Sequence, residues 1–167
     1  MMNFSGKVAI VTGAGSQNGI GRETARVLAE LGADMVIGDM NLEGAREAAR
    51  EIEQMGRKAL AVELNVTDEQ SVQSMVDAAL SAFGRIDILV NNAGITQPIT
   101  TENMSVADFT RIVEVNLIGT FICSKAVMKP MAAQKYGRIV NVSSVSAKRG
   151  GGVYGGSHYS AAKAGVL

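Results

Sequence analysis

The chain has 167 residues, enough for one domain with a sizeable core. Sixteen Lys and Arg balance sixteen Asp and Glu, and 47% of the residues are apolar. This composition excludes disordered and fibrous classes and gives no electrostatic case for nucleic acid or an anionic membrane. The single cysteine, Cys123, excludes an internal disulfide or a thiolate metal cluster, and its neighbours Phe121 and Ile122 make it a plain buried thiol in a reducing compartment. No His, Cys, Asp or Glu spacing suggests a metal site. No window approaches the roughly 20 apolar residues of a membrane span, and residues 1–7 lack an apolar signal region. A soluble, cytoplasmic protein is expected.

In chain order, strands and helices alternate. Residues 7–11 form a short apolar run, and 20–31 have helical spacing with Ala25, Leu28 and Ala29 on one face, stopping at Gly32. Residues 35–37 read as a buried strand ending at Gly38 and Asp39. A helix follows over 42–55, closed by Gly56, then a strand over 59–64. Asp68 can cap the next helix, which runs to about Phe83 and closes at Gly84. Residues 86–90 are a fourth strand. Residues 105–134 read as mostly helical, 139–142 as a fifth strand, 150–156 as a glycine-rich loop, and the chain from Tyr159 onward as a helix. Strands apolar on both faces, alternating with amphipathic helices, predict one α/β domain over 1–167: a doubly wound parallel sheet of Rossmann type in the order 3-2-1-4-5. Nothing caps the last helix at Leu167, so the sheet is expected to be cut short at its C-terminal side.

The segment 12–21, TGAGSQNGIG, follows the first strand and opens the first helix, the setting of a dinucleotide-binding loop. Glycines let backbone amides approach a pyrophosphate, and the helix N-terminus adds partial positive charge. Asp39, 18 positions beyond Gly21, ends the second strand. Its carboxylate can accept from both adenosine ribose hydroxyls and would repel a 2′-phosphate, so NAD(H) is favoured over NADP(H). The other reading of Asp39 is a helix cap.

Four further motifs stand in order: NNAG at 91–94, VNLIG around Asn116, Ser143-Ser144 after the fifth strand, and YSAAK at 159–163. Together with the glycine loop, the set resembles the short-chain dehydrogenase/reductase family across the whole chain, with wording most similar to its 3-oxoacyl-carrier-protein reductase branch. The resemblance implies an oxidoreductase moving a hydride between a nicotinamide cofactor and a secondary alcohol or ketone, either a 3-oxoacyl thioester reductase or an NAD-linked dehydrogenase of sugars, polyols or hydroxy acids. It implies a catalytic set of Asn116, Ser144, Tyr159 and Lys163. The cofactor site it implies takes Gly13, Gly15, Asn18, Gly19, Ile20 and Gly21 from the loop, and Asp39, Asn65 and Val66 from the second and third strand ends. Asn92, Ala93, Gly94, Tyr159 and Lys163 complete it. Full-length relatives pair through the helix after Asn116 and the helix of Tyr159, so a homo-oligomer, dimer or tetramer, is expected.

The chemistry fits the residues. Tyrosine, whose free phenol titrates near pH ~10, is a poor acid or base alone. Lys163 lies one helical turn on, where its ammonium favours the phenolate. Ser144, at the carboxyl edge of the sheet, can donate to a carbonyl oxygen as charge builds. Ser143 points the opposite way on an extended strand end, and the choice of Ser144 rests on the resemblance. Asn116 inside an apolar helix suggests a break; the family reading gives it a water of a proton relay from Lys163, the other a cap between two helices. His158, the single histidine, is expected to face the substrate mouth or solvent, about 100° away from Tyr159. Tyr154, with His158 and not lysine four residues on, is a poor rival for Tyr159.

The chain departs from the family pattern in four places. Five residues separate Gly13 from Gly19 where three are usual, so a longer phosphate loop is expected. Asn65 stands where an acid is common, and its amide oxygen can still accept from an adenine amino group. Ser144 and Tyr159 are two residues further apart than in compact members, with the extra length in 150–156. The chain also ends before the family's last strand–helix units. A nucleotide-binding module without turnover is the competing expectation.

Overall fold

The computed structural model describes residues 2–152 and 155–167. Tyr154 and part of the glycine-rich stretch at 150–156 lie outside the described residues. Five strands, β1 (Val8–Thr12), β2 (Asp34–Asp39), β3 (Ala59–Glu63), β4 (Ile88–Asn91) and β5 (Arg138–Asn141), form one sheet in the order 3-2-1-4-5 with every pairing parallel. This is the doubly wound arrangement that the sequence predicts.

The side-chain period of two divides each strand between two cores. From β1, Val8 and Ile10 join Leu64, Met75, Leu89, Ile122 and Val127 on one face of the sheet. Ala9 and Val11 join Met35, Ile37, Ile88, Val90 and Ile52 on the other. Helices α1 (Ile20–Glu30) and α2 (Leu42–Gln54) cover the second face with alanines, among them Ala25, Ala29, Ala45 and Ala48, so their backbones lie close to the sheet. The first face is covered by α3 (Glu69–Phe83) and α5 (Gly119–Ala133). Because both faces are buried, β1 is apolar at four successive positions and enclosed at all five. β3 and β5 are the edge strands, and the four residues of β5 stay exposed.

The boundaries follow from capping chemistry. Asp68 accepts from the Gln70 amide at 2.9 Å to start α3, and Gly84, at φ +73°, ends it in the left-handed conformation that lacks a Cβ penalty. Ser105 and Asp108 form a reciprocal capping box at the start of α4 (Val106–Val113). The helix expected over 105–134 is interrupted where Asn116 falls: a π-helical turn, Glu114–Ile118, joins α4 to α5. A short α6 (Ser146–Arg149) follows β5, and α7 (Ser157–Val166) starts two residues before Tyr159. No described helix is long and apolar enough to cross a membrane.

Candidate active site

The carboxyl ends of β1, β2, β4 and β5 gather the predicted site residues along one edge of the sheet. Gly13, at φ +66°, turns the chain out of β1 while its amide donates to the Gly38 carbonyl at 2.7 Å. A Cβ at Gly13 would come within 2.7 Å of Ala93 Cα, and one at Gly21 would collide with Asn92 Nδ2 and the Gly13 carbonyl. Asn92 stitches the loops together: its Nδ2 donates to the carbonyls of Thr12 (2.9 Å) and Gly13 (2.8 Å). Thr12 Oγ1 accepts in return from the amides of Asn92 and Ala93 at 3.1 and 3.0 Å. The α1 N-cap is Gly19, with no side chain to cap the first amides of the helix. Those donors, with the positive end of the helix dipole, suit an anion. Asn18 and Ile20 flank this end and are largely solvent-exposed.

Asp39 faces the same loop. Its Oδ2 accepts from the Gly15 amide at 2.8 Å and its Oδ1 from the Asn41 amide at 2.9 Å. The cap of α2 is Asn41, whose Oδ1 accepts from the Gly44 amide at 3.1 Å, so Asp39 is not that cap. A Cβ at Gly15 would sit 2.9 Å from Asp39 Cγ, so only glycine allows this approach. Asn65 differs from its expected role. Its amide oxygen accepts from both the amide (3.1 Å) and the hydroxyl (2.8 Å) of Thr67, which occupies both acceptor positions. Val66 is buried against Gly119.

Lys163 and Asn116 converge on Gly94. A Cβ at Gly94 would lie 2.6 Å from Asn116 Oδ1 and 3.5 Å from Lys163 Nζ. Asn116 is fully enclosed in the π turn, and its Nδ2 donates to the carbonyls of Ile95 and Ile112, each at 2.9 Å. Its Oδ1 is buried without a donor. Such an orphan is costly and marks a place for a water or ligand. Lys163 is buried at 4% exposure, its Nζ donates to the Val142 carbonyl at 2.8 Å, and burial lowers the pKa of its ammonium. The Nζ stands 5.9 Å from the centre of the Tyr159 ring.

The two serines have separate partners. Ser143 Oγ donates to the Lys163 carbonyl at 2.7 Å and ties β5 to α7. Ser144 Oγ accepts from the Ser146 amide at 3.1 Å at the start of α6, leaving its proton free to donate elsewhere. His158 corrects an expectation: it is fully buried, against α4, and not at the mouth or in solvent. The divergence from Tyr159 gave its direction relative to the phenol; that side of α7 is covered by the Phe109 ring, 6.5 Å from the imidazole. Cys123 is a buried thiol, its pKa pushed up to about 12 by burial.

One buried charged residue behind the glycine loop is not apparent from the sequence. Arg22 is buried at 7% exposure in the first turn of α1. It makes a two-pronged ion pair with Glu51 of α2 at 3.0 and 2.8 Å, and its Nη1 donates to the Gly15 carbonyl at 3.4 Å. It braces the glycine loop from behind. The available signal was an arginine on the same stripe as Ala25 and Ala29.

Comparisons with known proteins agree with this arrangement. The short chain dehydrogenase family profile matches residues 7–167. Over 167 residues the chain is 47% identical to an uncharacterized short-chain type dehydrogenase/reductase of Sinorhizobium fredii, covering 99% of this chain and 66% of that protein. It is 47% identical to the cis-4-hydroxycyclohexanecarboxylate dehydrogenase of Sinomonas cyclohexanicum, covering 98% and 64%. With the 3-oxoacyl-[acyl-carrier-protein] reductase of Escherichia coli it shares 42% identity, covering 99% and 65%. The crystal structure of a short-chain type dehydrogenase/reductase from Mycobacterium marinum superposes with a TM-score of 0.94 at 34% identity, covering 99% of this chain and 66% of that one. The chain thus spans about two thirds of the length of the curated relatives it matches. With its fold, its motifs and these likenesses in agreement, the chain belongs to the short-chain dehydrogenase family.

Proposed function

We propose that the protein is an NAD(H)-dependent oxidoreductase that interconverts a secondary alcohol and its ketone. The observation that carries this reading is the convergence of Lys163 Nζ and Asn116 Oδ1 on Gly94, with Tyr159 one helical turn before Lys163. Residues of the glycine loop fit a dinucleotide: Gly13, Gly15 and Gly21 leave no room for a Cβ, and the first amides of α1 are uncapped. These amides would hold the pyrophosphate and Asp39 the adenosine ribose, with Asn92 and Val66 shaping the walls. The Asp39 carboxylate favours NAD(H), since like charge opposes a 2′-phosphate.

A nicotinamide cofactor supplies the hydride donor or acceptor. In the oxidising direction Tyr159 takes the hydroxyl proton, and in the reducing direction it returns one. The Lys163 ammonium, beside the Tyr159 ring, would favour the phenolate by its charge and would hold the nicotinamide ribose. Ser144 donates to the substrate oxygen, an interaction that strengthens as charge develops. Asn116 Oδ1 anchors a water through which Lys163 exchanges protons with solvent.

For the substrate, a hydroxy acid is the class proposed, since a 47% identical relative is named for a ring alcohol bearing a carboxylate. A 3-oxoacyl thioester is the second reading, favoured by 42% identity to a 3-oxoacyl-[acyl-carrier-protein] reductase. The exposed apolar side chains of Phe121 and Met128 on α5 support pairing of two copies through that helix. Fluorescence titrations with NADH and NADPH test the cofactor half of the proposal. NADH binds more tightly to the wild type, and Asp39→Arg loses or reverses the preference. Alcohol oxidation with a Tyr159→Phe control tests the rest. Equal binding of both cofactors, or full turnover by Tyr159→Phe, overturns it.

A further inference from the structure

The geometry points to His158 as a positioning residue for Tyr159: its enclosed imidazole fixes the first turn of the helix that carries the phenol. This inference rests on the assignment of Tyr159 as the acid–base group in the proposed function.

The first amides of a helix have no carbonyl partner within it and need a cap. The N-cap of α7 is Gly156, which has no side chain to offer. His158 takes over that work from inside the helix, because its Nδ1 accepts from the Tyr159 amide at 2.8 Å. An accepting Nδ1 in a neutral imidazole puts the proton on Nε2. That Nε2 is buried and meets no acceptor.

Packing alone does not explain a histidine here. A buried N–H without a partner is a cost that an aliphatic side chain of similar volume would not carry. The gain is the bond at Nδ1. The imidazole is held in its slot by the Phe109 ring, at 6.5 Å and a 40° tilt, and by Gly156, where a Cβ would lie 3.1 Å from His158 Cε1 and 2.7 Å from the Ile99 carbonyl. On the other flank, a Cβ at Gly155 would come within 2.8 Å of Tyr159 Cδ1. Tyr159 is thus seated by a side-chain bond at its own amide and by close approach of backbone at its ring. Both fix its placement relative to Lys163 Nζ, 5.9 Å from the ring centre. Misplacement of an acid–base group by about 1 Å can cost a hundredfold in rate.

The test compares His158→Asn, His158→Gln and His158→Leu in the full-length protein. The asparagine amide reaches the place of Nδ1, the glutamine amide reaches the place of Nε2, and leucine offers no acceptor. His158→Asn retains most of the wild-type kcat. His158→Gln and His158→Leu lose about tenfold to a hundredfold in kcat, with KM for the cofactor unchanged. A second readout needs no turnover. The difference in near-ultraviolet circular dichroism between each form and the same form carrying Tyr159→Phe reports the setting of the Tyr159 ring alone. That difference spectrum changes in His158→Gln and His158→Leu, as the ring leaves its seat against Gly155 and beside Lys163, and is retained in His158→Asn. An asparagine variant that fails as the glutamine one does, or a glutamine variant that matches wild type in both readouts, overturns the role of His158. Absence of alcohol turnover in every form, wild type included, overturns the dehydrogenase reading instead, and the dichroism difference spectra then decide for His158.

Discussion

Asn116 Oδ1 stands where a methyl group on Gly94 would reach to within 2.6 Å of it, with Lys163 Nζ 3.5 Å from the same point. Gly94→Ala therefore overpacks the centre of the site. It is expected to lower stability by about 1–3 kcal/mol and to abolish turnover, because Asn116 or Lys163 must yield. Urea unfolding and a rate assay on the same preparation check both halves.

The serine pair separates structure from chemistry. Ser143 Oγ spends its proton on the Lys163 carbonyl, and Ser144 Oγ retains its own. Ser144→Ala should reduce kcat by about a hundredfold to a thousandfold with little change in melting temperature. Ser143→Ala should cost roughly 1 kcal/mol of stability and leave a measurable kcat. The reverse pattern would exchange the two roles.

Arg22 acts through the loop it supports. Arg22→Met removes the ion pair to Glu51 and the bond to the Gly15 carbonyl. Glu51 is half-exposed, so solvent screens the pair and about 1 kcal/mol is at stake. Cofactor Kd is expected to rise about fivefold, with kcat at saturating cofactor unchanged, as fluorescence titration and initial rates would show.

Lys163 makes stability depend on alkaline pH. Burial lowers its pKa, so the folded chain binds that proton less tightly than the unfolded chain does. The cost is complete at pH values below the folded value. It is relieved as pH rises through that value towards the roughly 10.4 of unfolded lysine. Relative to Lys163→Met, the wild type should gain stability across this alkaline window. Urea unfolding at a series of pH values measures the difference, and parallel curves for the two proteins would remove the burial cost.

The sheet was legible because β1 and β2 are apolar on both faces and because Asp68 and Gly84 delimit α3 in the local sequence. The break at Asn116 was also legible, since an asparagine amid apolar helix residues has no reason to be there unless its amide bonds elsewhere. Two of the features that escaped depend on contacts distant in sequence. The partner of Arg22 lies on another helix, 29 residues away, and no local pattern announces it. The burial of His158 is decided by α4, whose packing on α7 is a property of the assembled fold. The occupied amide of Asn65 turns on Thr67 two residues on, a local turn that competes directly with the adenine contact expected of it.

The glycine loop between β1 and α1 has a consequence for how such a scaffold tolerates change. Its base, Thr12 and Gly13, is stitched to Asn92 and Ala93. The tip forms its own closed turn, with the Gly19 amide donating to the Ser16 carbonyl at 3.1 Å and Ser16, Gln17 and Asn18 exposed. A residue added at the exposed tip would cost little closure entropy, while the anchored base would keep its register with Gly94.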